Sequence, residues 1–254
     1  MKAGEQVAFT EYAVLTDRGL QRQQNQDSVL AYTSDSLGLY CIADGMGGYE
    51  NGEQASKCII QYLNSWTEKF EHTTRVGGFV SIMKELESCI DQANESIFHQ
   101  YNNGATCGST VSLLAVYEDC YGMINIGDSR IYKRHALSFR QVTVDDVWEN
   151  DPDNIKGLNK EKLSLHPQYG KLSEAVGVKE QIFPNLLTGS VKSGDKFLIC
   201  SDGIYKNVTM HQLKSACGLI RGKASMEKGA QQLKRAVYEN GASDNLSVII
   251  VEVK

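Results

Sequence analysis

The chain alternates between long amphipathic stretches and short runs that are almost wholly apolar. Ile59, Leu63, Trp66 and Phe70 recur at helical spacing and predict a helix over Glu53–Phe70. Ile82, Leu86, Ile90, Ala93 and Ile97 predict a second over Phe79–Tyr101, with Gly77-Gly78 before it and Asn102-Asn103-Gly104 as its stop. Further helical segments are predicted near Thr209–Cys217 and Ser225–Glu239. Strands are predicted at Phe9–Thr16, Ser28–Thr33, Leu37–Ala43, Ser109–Tyr117 and Tyr121–Ile126. More follow at Arg130–Arg134, Leu137–Val142, Ile182–Leu187, Lys196–Cys200 and Leu246–Val253. Turns at Glu118-Asp119, Gly127-Asp128-Ser129 and His135-Ala136 are short enough to imply antiparallel neighbours. Asp145 to Gly170 is polar, carries Pro152 and Pro167 and has no period; such long irregular loops often serve as lids. Strand runs interleaved with paired amphipathic helices point to α+β layers, each helix pair covering one sheet face. No repeat, low-complexity tract or linker marks a second domain.

Composition narrows the field. The 254 residues fit one large domain or two small ones, and 41% hydrophobic content is enough for a core. A net charge of −5 gives no basic footprint for nucleic acid. No apolar run approaches the roughly 18 residues that span a bilayer, and the opening MKAGEQVAFTEYAV lacks the apolar region of a signal peptide. The seven cysteines are scattered, odd in number and without a CxxC pair. They read as reduced, packed cysteines of a cytoplasmic protein rather than as disulfides or a zinc site.

Candidate chemistry lies at the strand ends. In YCIADGMGGYENGEQAS (Tyr40–Ser56) an apolar run stops at Asp44, four glycines follow, and a helical pattern begins. LICSDG brings Asp202, YGMINIGDSR brings Asp128, GASDNLSVIIV brings Asp244, and Asn25-Gln26-Asp27 precedes the strand SVLAY. Singly, each aspartate is better explained as a turn former. Together they suggest one rim where strand ends converge. Clustered carboxylates repel unless a cation neutralises them, and hard oxygen ligands suit Mg²⁺ or Mn²⁺.

DGMGGxxxGExAS, followed in order by GDSR, CSDG and SDN and preceded by TDRGLQRQQNQD at Thr16–Asp27, resembles the protein phosphatase 2C-like (PPM) family of metal-dependent serine/threonine phosphatases, bacterial type. The motifs span Thr16 to Val251. The resemblance implies a single catalytic domain over residues 1–254, folded as a four-layer α-β-β-α sandwich of two antiparallel sheets flanked by helix pairs. It implies hydrolysis of phosphoserine and phosphothreonine by a hydroxide bridging two metal ions, with two to three Mn²⁺ or Mg²⁺ ions as cofactors. Phosphorylated proteins and a cognate Ser/Thr kinase are the implied partners, and a monomer is the default.

Carried over residue by residue, Asp44 matches the carboxylate that bridges both ions, and Gly45 supplies a carbonyl ligand. Asp202 and Asp244 match further metal ligands, and Asp128 the ligand of a third, weaker ion. Asp27 matches an acidic residue in or next to the metal shell, though a strand turn explains it as well. Arg22 matches the arginine that holds the substrate phosphate, where a guanidinium grips two oxygens in a fork; without the family it is one charge in a polar run. On this reading the glycines let the backbone approach a metal. Asn245 orients the site by hydrogen bonding, while Ser129 and Arg130 stabilise the turn at Asp128. Ser201 is rejected as a nucleophile, Cys200 reads as core, and His166 and His211 as surface histidines. Gln26 stands where relatives often carry an acid, Met46 where some carry a histidine acid, and Tyr49 where bacterial members usually have histidine. Val144 to Glu174 takes the place of the family's flap, keeps His166-Pro167 and departs elsewhere; substrate preference is expected there. Three readings compete: a non-catalytic phosphoprotein binder, a stress-response regulator phosphatase with one dedicated partner, and a two-metal nuclease. The retained aspartates and Arg22 disfavour the first, the absence of sensory modules the second, and the acidic balance the third.

Overall fold

The computed structural model describes residues 10–47, 51–71, 78–101 and 107–254. Its elements are β1 (Thr10–Asp17), β2 (Asp27–Thr33), β3 (Leu37–Met46), α1 (Asn51–Glu71), α2 (Gly78–Tyr101), β4 (Gly108–Ser109), β5 (Val111–Tyr117), β6 (Cys120–Ile126) and β7 (Arg130–His135). They continue with β8 (Ser138–Gln141), α3 (Lys160–Ser164), β9 (Asn185–Ser190), β10 (Lys196–Cys200), α4 (Asp202–Tyr205), α5 (Met210–Ala216), α6 (Lys223–Glu239) and β11 (Leu246–Val253). One antiparallel sheet runs β2-β3-β5-β6-β9, with β4 paired to the end of β3; the other runs β1-β11-β10-β7-β8.

The strands read as unbroken apolar runs because both of their faces are covered. In β3, Leu39, Cys41 and Ala43 pack with Ile59 and Leu63 of α1 and Leu86 and Ile90 of α2. The alternate residues Tyr40 and Ile42 face the second sheet and pack with Phe197, Ile199, Ile249 and Val251. On the far side, Leu198, Val248 and Ile250 meet Leu213 of α5 and Leu233 and Val237 of α6. Three cores between four layers are the expected α-β-β-α sandwich. Truncating a fully buried residue such as Leu63 or Phe197 to alanine costs about 2–5 kcal/mol. The hydroxyl of Tyr40, buried between the sheets, donates to Thr10 Oγ1 at 2.8 Å, so its one polar atom is satisfied. At α5, Thr209 and Gln212 form a capping box, the Thr209 hydroxyl accepting from the Gln212 amide and the Gln212 side chain from the Thr209 amide.

Some boundaries differ from the sequence expectation. The strand expected at Ile182–Leu187 is instead Asn185–Ser190. Pro184 has no N–H for a ladder, while Ile182 turns into the core under α2. Residues 145–170 are not wholly irregular. Asn159 caps α3 by accepting from the Lys162 amide, and Val147 pairs with Leu172 across the loop. Phe9, the Gly77 break, the Asn102–Gly104 stop and Tyr49 lie outside the described residues. Among the described residues no helix is long and apolar enough to cross a membrane. No disulfide joins any of the seven cysteines, and six of them are buried.

Candidate metal centre

Sheet register places the first two carboxylates. Asp27 opens β2 and Asp44 stands near the end of β3, directly opposite each other in the antiparallel pair. Like charges in that position repel. Asp27 is buried; its Oδ2 accepts the Ser201 hydroxyl at 2.8 Å, and its Oδ1 has no partner. Burial raises the Asp27 carboxyl from 3.8 to about 6, and the nearby Asp202 and Asp244 carboxylates add to the rise. Asp44 is pushed well above the usual carboxylate range, first by desolvation and then by Asp27, Asp202, Asp128 and Asp244. All five acidic corners therefore meet, as expected from the sequence.

The second sheet delivers the others. Asp202 begins α4 immediately after β10, Asp244 lies two residues before β11, and Asp128 follows β6 in the turn to β7. Gly203 makes this approach possible: a Cβ there would stand 1.8 Å from the Asn245 carbonyl oxygen. Asn245 then ties down the loop that carries Arg22. Its Oδ1 accepts the Gln26 amide at 2.9 Å, and its Nδ2 donates to the Arg18 and Gln24 carbonyls, each at 2.9 Å. Arg22 reaches Asp244 Oδ2 at 2.7 Å. Arg22, Asp44, Gly45, Asp128, Asp202 and Asp244 line one cavity of about 370 Å³, and Gly170 and Leu172 of the 144–174 segment close one side of it.

Gly45 has a packing reason of its own. A Cβ on it would stand 2.0 Å from the Gly52 carbonyl and 2.8 Å from that of Gln26. Glycine is required by the packing of β3 against the first turn of α1, whatever its own carbonyl does. Ser201, rejected as a nucleophile, is fully buried and holds Asp27. Burial also raises the Cys200 thiol, which lies in the core. His166 is not a free surface residue: its ring stacks on Trp148 at 4.0 Å. His211 is exposed.

Sequence reasoning missed Lys206. Its ammonium lies 2.6 Å from Asp202 Oδ2 and 3.2 Å from Asp128 Oδ2. The available signal was the four-residue spacing from Asp202, which puts both on one side of a helical turn. Tyr205 was missed too; its hydroxyl donates to Asp128 Oδ2 at 3.0 Å. Arg130 lies 3.5 Å over the Tyr205 ring and is gripped by Asp145 through contacts of 2.7 and 2.9 Å. That is the supporting role expected of Arg130. Ser129 bonds the Thr110 hydroxyl, which in turn accepts the Asp44 amide.

The residues present fit a divalent ion at the Asp27–Asp44 side. A cation would satisfy the orphaned Asp27 Oδ1 and relieve the face-to-face carboxylates, and an all-oxygen donor set is what Mg²⁺ and Mn²⁺ take. Among the described residues no three acidic, histidine or cysteine side chains are by themselves arranged to hold a metal ion. Such ions keep several water ligands and need few protein ones.

Residues 19–246 match the profile of the protein phosphatase 2C family. The serine/threonine protein phosphatase PstP of Mycobacterium tuberculosis is 27% identical over 95% of this chain, which spans only 45% of PstP's own length. Protein phosphatase PhpP of Streptococcus pneumoniae is 26% identical over 96% of this chain and 97% of its own. The crystal structure of the PstP catalytic domain in complex with two manganese ions superposes with a TM-score of 0.78 at 26% identity, covering 97% of this chain and 99% of that one. A match over nine-tenths of the sequence, carried by the same sandwich, makes this chain a member of the protein phosphatase 2C family.

Proposed function

We propose that the chain is a metal-dependent protein phosphatase acting on phosphoserine and phosphothreonine, with residues 1–254 as one catalytic domain and 144–174 as its flap. The observation that carries this reading is the meeting of four strand-end aspartates with Arg22 around one cavity, with Asp27 buried opposite Asp44. Asp44, Asp202 and Asp244, the Gly45 carbonyl and Asp27 behind them would hold two Mn²⁺ or Mg²⁺ ions. When bound, such ions supply Lewis acidity and an activated water for in-line attack on phosphorus. PstP, which was crystallised with two manganese ions, supports that count.

The chain's own groups supply the rest. Arg22 binds two phosphate oxygens in a fork and orients the ester. To do so it leaves Asp244, which is inexpensive: the Arg22 side chain is 51% exposed, and such pairs contribute about 0–1 kcal/mol. Asn245 keeps the Arg22 loop at the cavity by its three hydrogen bonds. Met46 lines the cavity and carries no proton, so the leaving alkoxide takes its proton from solvent. Phosphorylated proteins and a cognate Ser/Thr kinase are the partners of such an enzyme, working as a monomer. Cysteines that are mostly buried and not joined by disulfides suit a reducing compartment such as the cytoplasm.

The test is phosphate release from phosphothreonine, phosphoserine and phosphotyrosine peptides with Mn²⁺, with Mg²⁺ and with EDTA. The reading expects turnover of the first two that EDTA abolishes. Folded protein inert under every metal would overturn it.

A further inference from the structure

Two aspartates of the cluster, Asp128 and Asp202, share one cation of the chain itself, while Asp244 pairs with Arg22. The Lys206 ammonium lies between Asp128 Oδ2 and Asp202 Oδ2, and the Tyr205 hydroxyl takes the same Asp128 oxygen. The local fold fixes this arrangement. The Lys206 amide donates to the Asp202 carbonyl at 3.0 Å, closing the short helix that sets the two residues on one side. Asn207 Nδ2 bonds the Gly203 carbonyl at 3.0 Å, and the Tyr205 ring is held under Arg130.

We infer that Lys206 is a built-in cation that takes the place of a third metal ion between Asp128 and Asp202, so that this chain binds two ions and no more. The inference rests on the two-ion reading above and goes beyond it. Charge balance points the same way. Five carboxylates are neutralised by two divalent ions and one ammonium, and Arg22 remains for the phosphate. A third divalent ion would have to displace Lys206 from two carboxylates at once and leave its ammonium beside an excess of positive charge. At the Asp128 corner the donor set therefore does not fit the third ion implied by the family resemblance.

Manganese binding to the full chain, counted by calorimetric titration and by loss of the free-ion electron paramagnetic resonance signal, tests this. Wild type and Lys206→Arg are expected to bind two ions. Lys206→Met and Lys206→Ala are expected to bind a third, at least tenfold more weakly than the first two. Circular dichroism melting identifies folded variants, and Lys206→Met keeps most of the side-chain volume should Lys206→Ala not fold. Three ions on the wild type, or only two on folded Lys206→Met, overturns the inference while leaving the dimetal reading intact. Fewer than two ions on the wild type removes the dimetal reading and this inference with it.

Discussion

Replacing Asp27 with asparagine should raise stability without metal and lower it with metal. Asp27 is 6% exposed, faces Asp44 across the β2–β3 ladder and has one oxygen without a partner. A carboxyl raised from 3.8 to about 6 destabilises the folded state by about 3 kcal/mol once it is ionised, at about 1.4 kcal/mol per pKa step. The folded value lies above the unfolded one, so the folded protein holds the proton more tightly. The penalty is absent below about pH 4, grows as pH rises, and is complete above about pH 6. Asparagine keeps an acceptor for Ser201 and places an amide donor toward Asp44. Its imperfect bonding returns about 1 kcal/mol, which leaves a net gain of about 2 kcal/mol. For a chain of this length that raises Tm by about 5 °C. The assay is thermal melting in EDTA at pH 5.0 and 7.5, then with saturating Mn²⁺. In EDTA at pH 7.5 the variant should melt above wild type, with the gap closing at pH 5. With Mn²⁺ the order should reverse, because the wild type gains about 2.7 kcal/mol at a hundredfold excess over Kd and the variant gains less. A variant that melts below wild type in both conditions would refute the reasoning.

Arg22→Ala should raise KM for a phosphothreonine peptide at least tenfold with Mn²⁺ affinity nearly unchanged, and Arg22→Lys should recover only part; an equal loss of metal binding would contradict the assignment. Gly203→Ala forces a Cβ into the Asn245 carbonyl, so Asp202 and Asp244 must separate. A loss of about 10²-fold in kcat, measured at saturating metal, is expected from a displacement of that size. Asp17→Asn tests a tie far from the centre. Burial opposes ionisation there, but hydrogen bonds from Lys234, Tyr238 and Gly19 win and hold the Asp17 carboxyl below its usual value. The tie is present above about pH 4 and is lost as pH falls through the folded value. The variant should lose about 1 kcal/mol in urea denaturation at pH 7 and progressively less as pH falls below about 4.

The two outer helix pairs and the doubly buried strands were legible because each is written in a period that burial enforces. Lys196–Cys200 and Leu246–Val253 coincide with the predicted strands for that reason. β9 was misplaced because it is an edge strand whose residues are largely exposed, so no core face fixed its register, and Ile182 mimicked a strand residue. The five aspartates were legible as turn chemistry repeated at strand ends. Their convergence needed the sheet pairing that puts Asp27 opposite Asp44. Lys206 was illegible for a different reason: an i,i+4 spacing means nothing until α4 is known to be a helix, and four residues are too few to show a period. Gly45 also answers to a neighbouring backbone, a reason that only the packing of β3 against α1 reveals.

The central claim is that the carboxylate cluster is a metal-dependent hydrolytic centre, and turnover against bound metal tests it most directly. Phosphothreonine-peptide hydrolysis would be followed as metal-free protein is loaded stepwise with Mn²⁺, alongside Asp202→Ala. The account predicts no turnover in EDTA, a rise that follows occupancy of the second ion, and a flat line for the variant. Turnover that persists in EDTA, or a folded Asp202→Ala that matches the wild type at every loading, would contradict it.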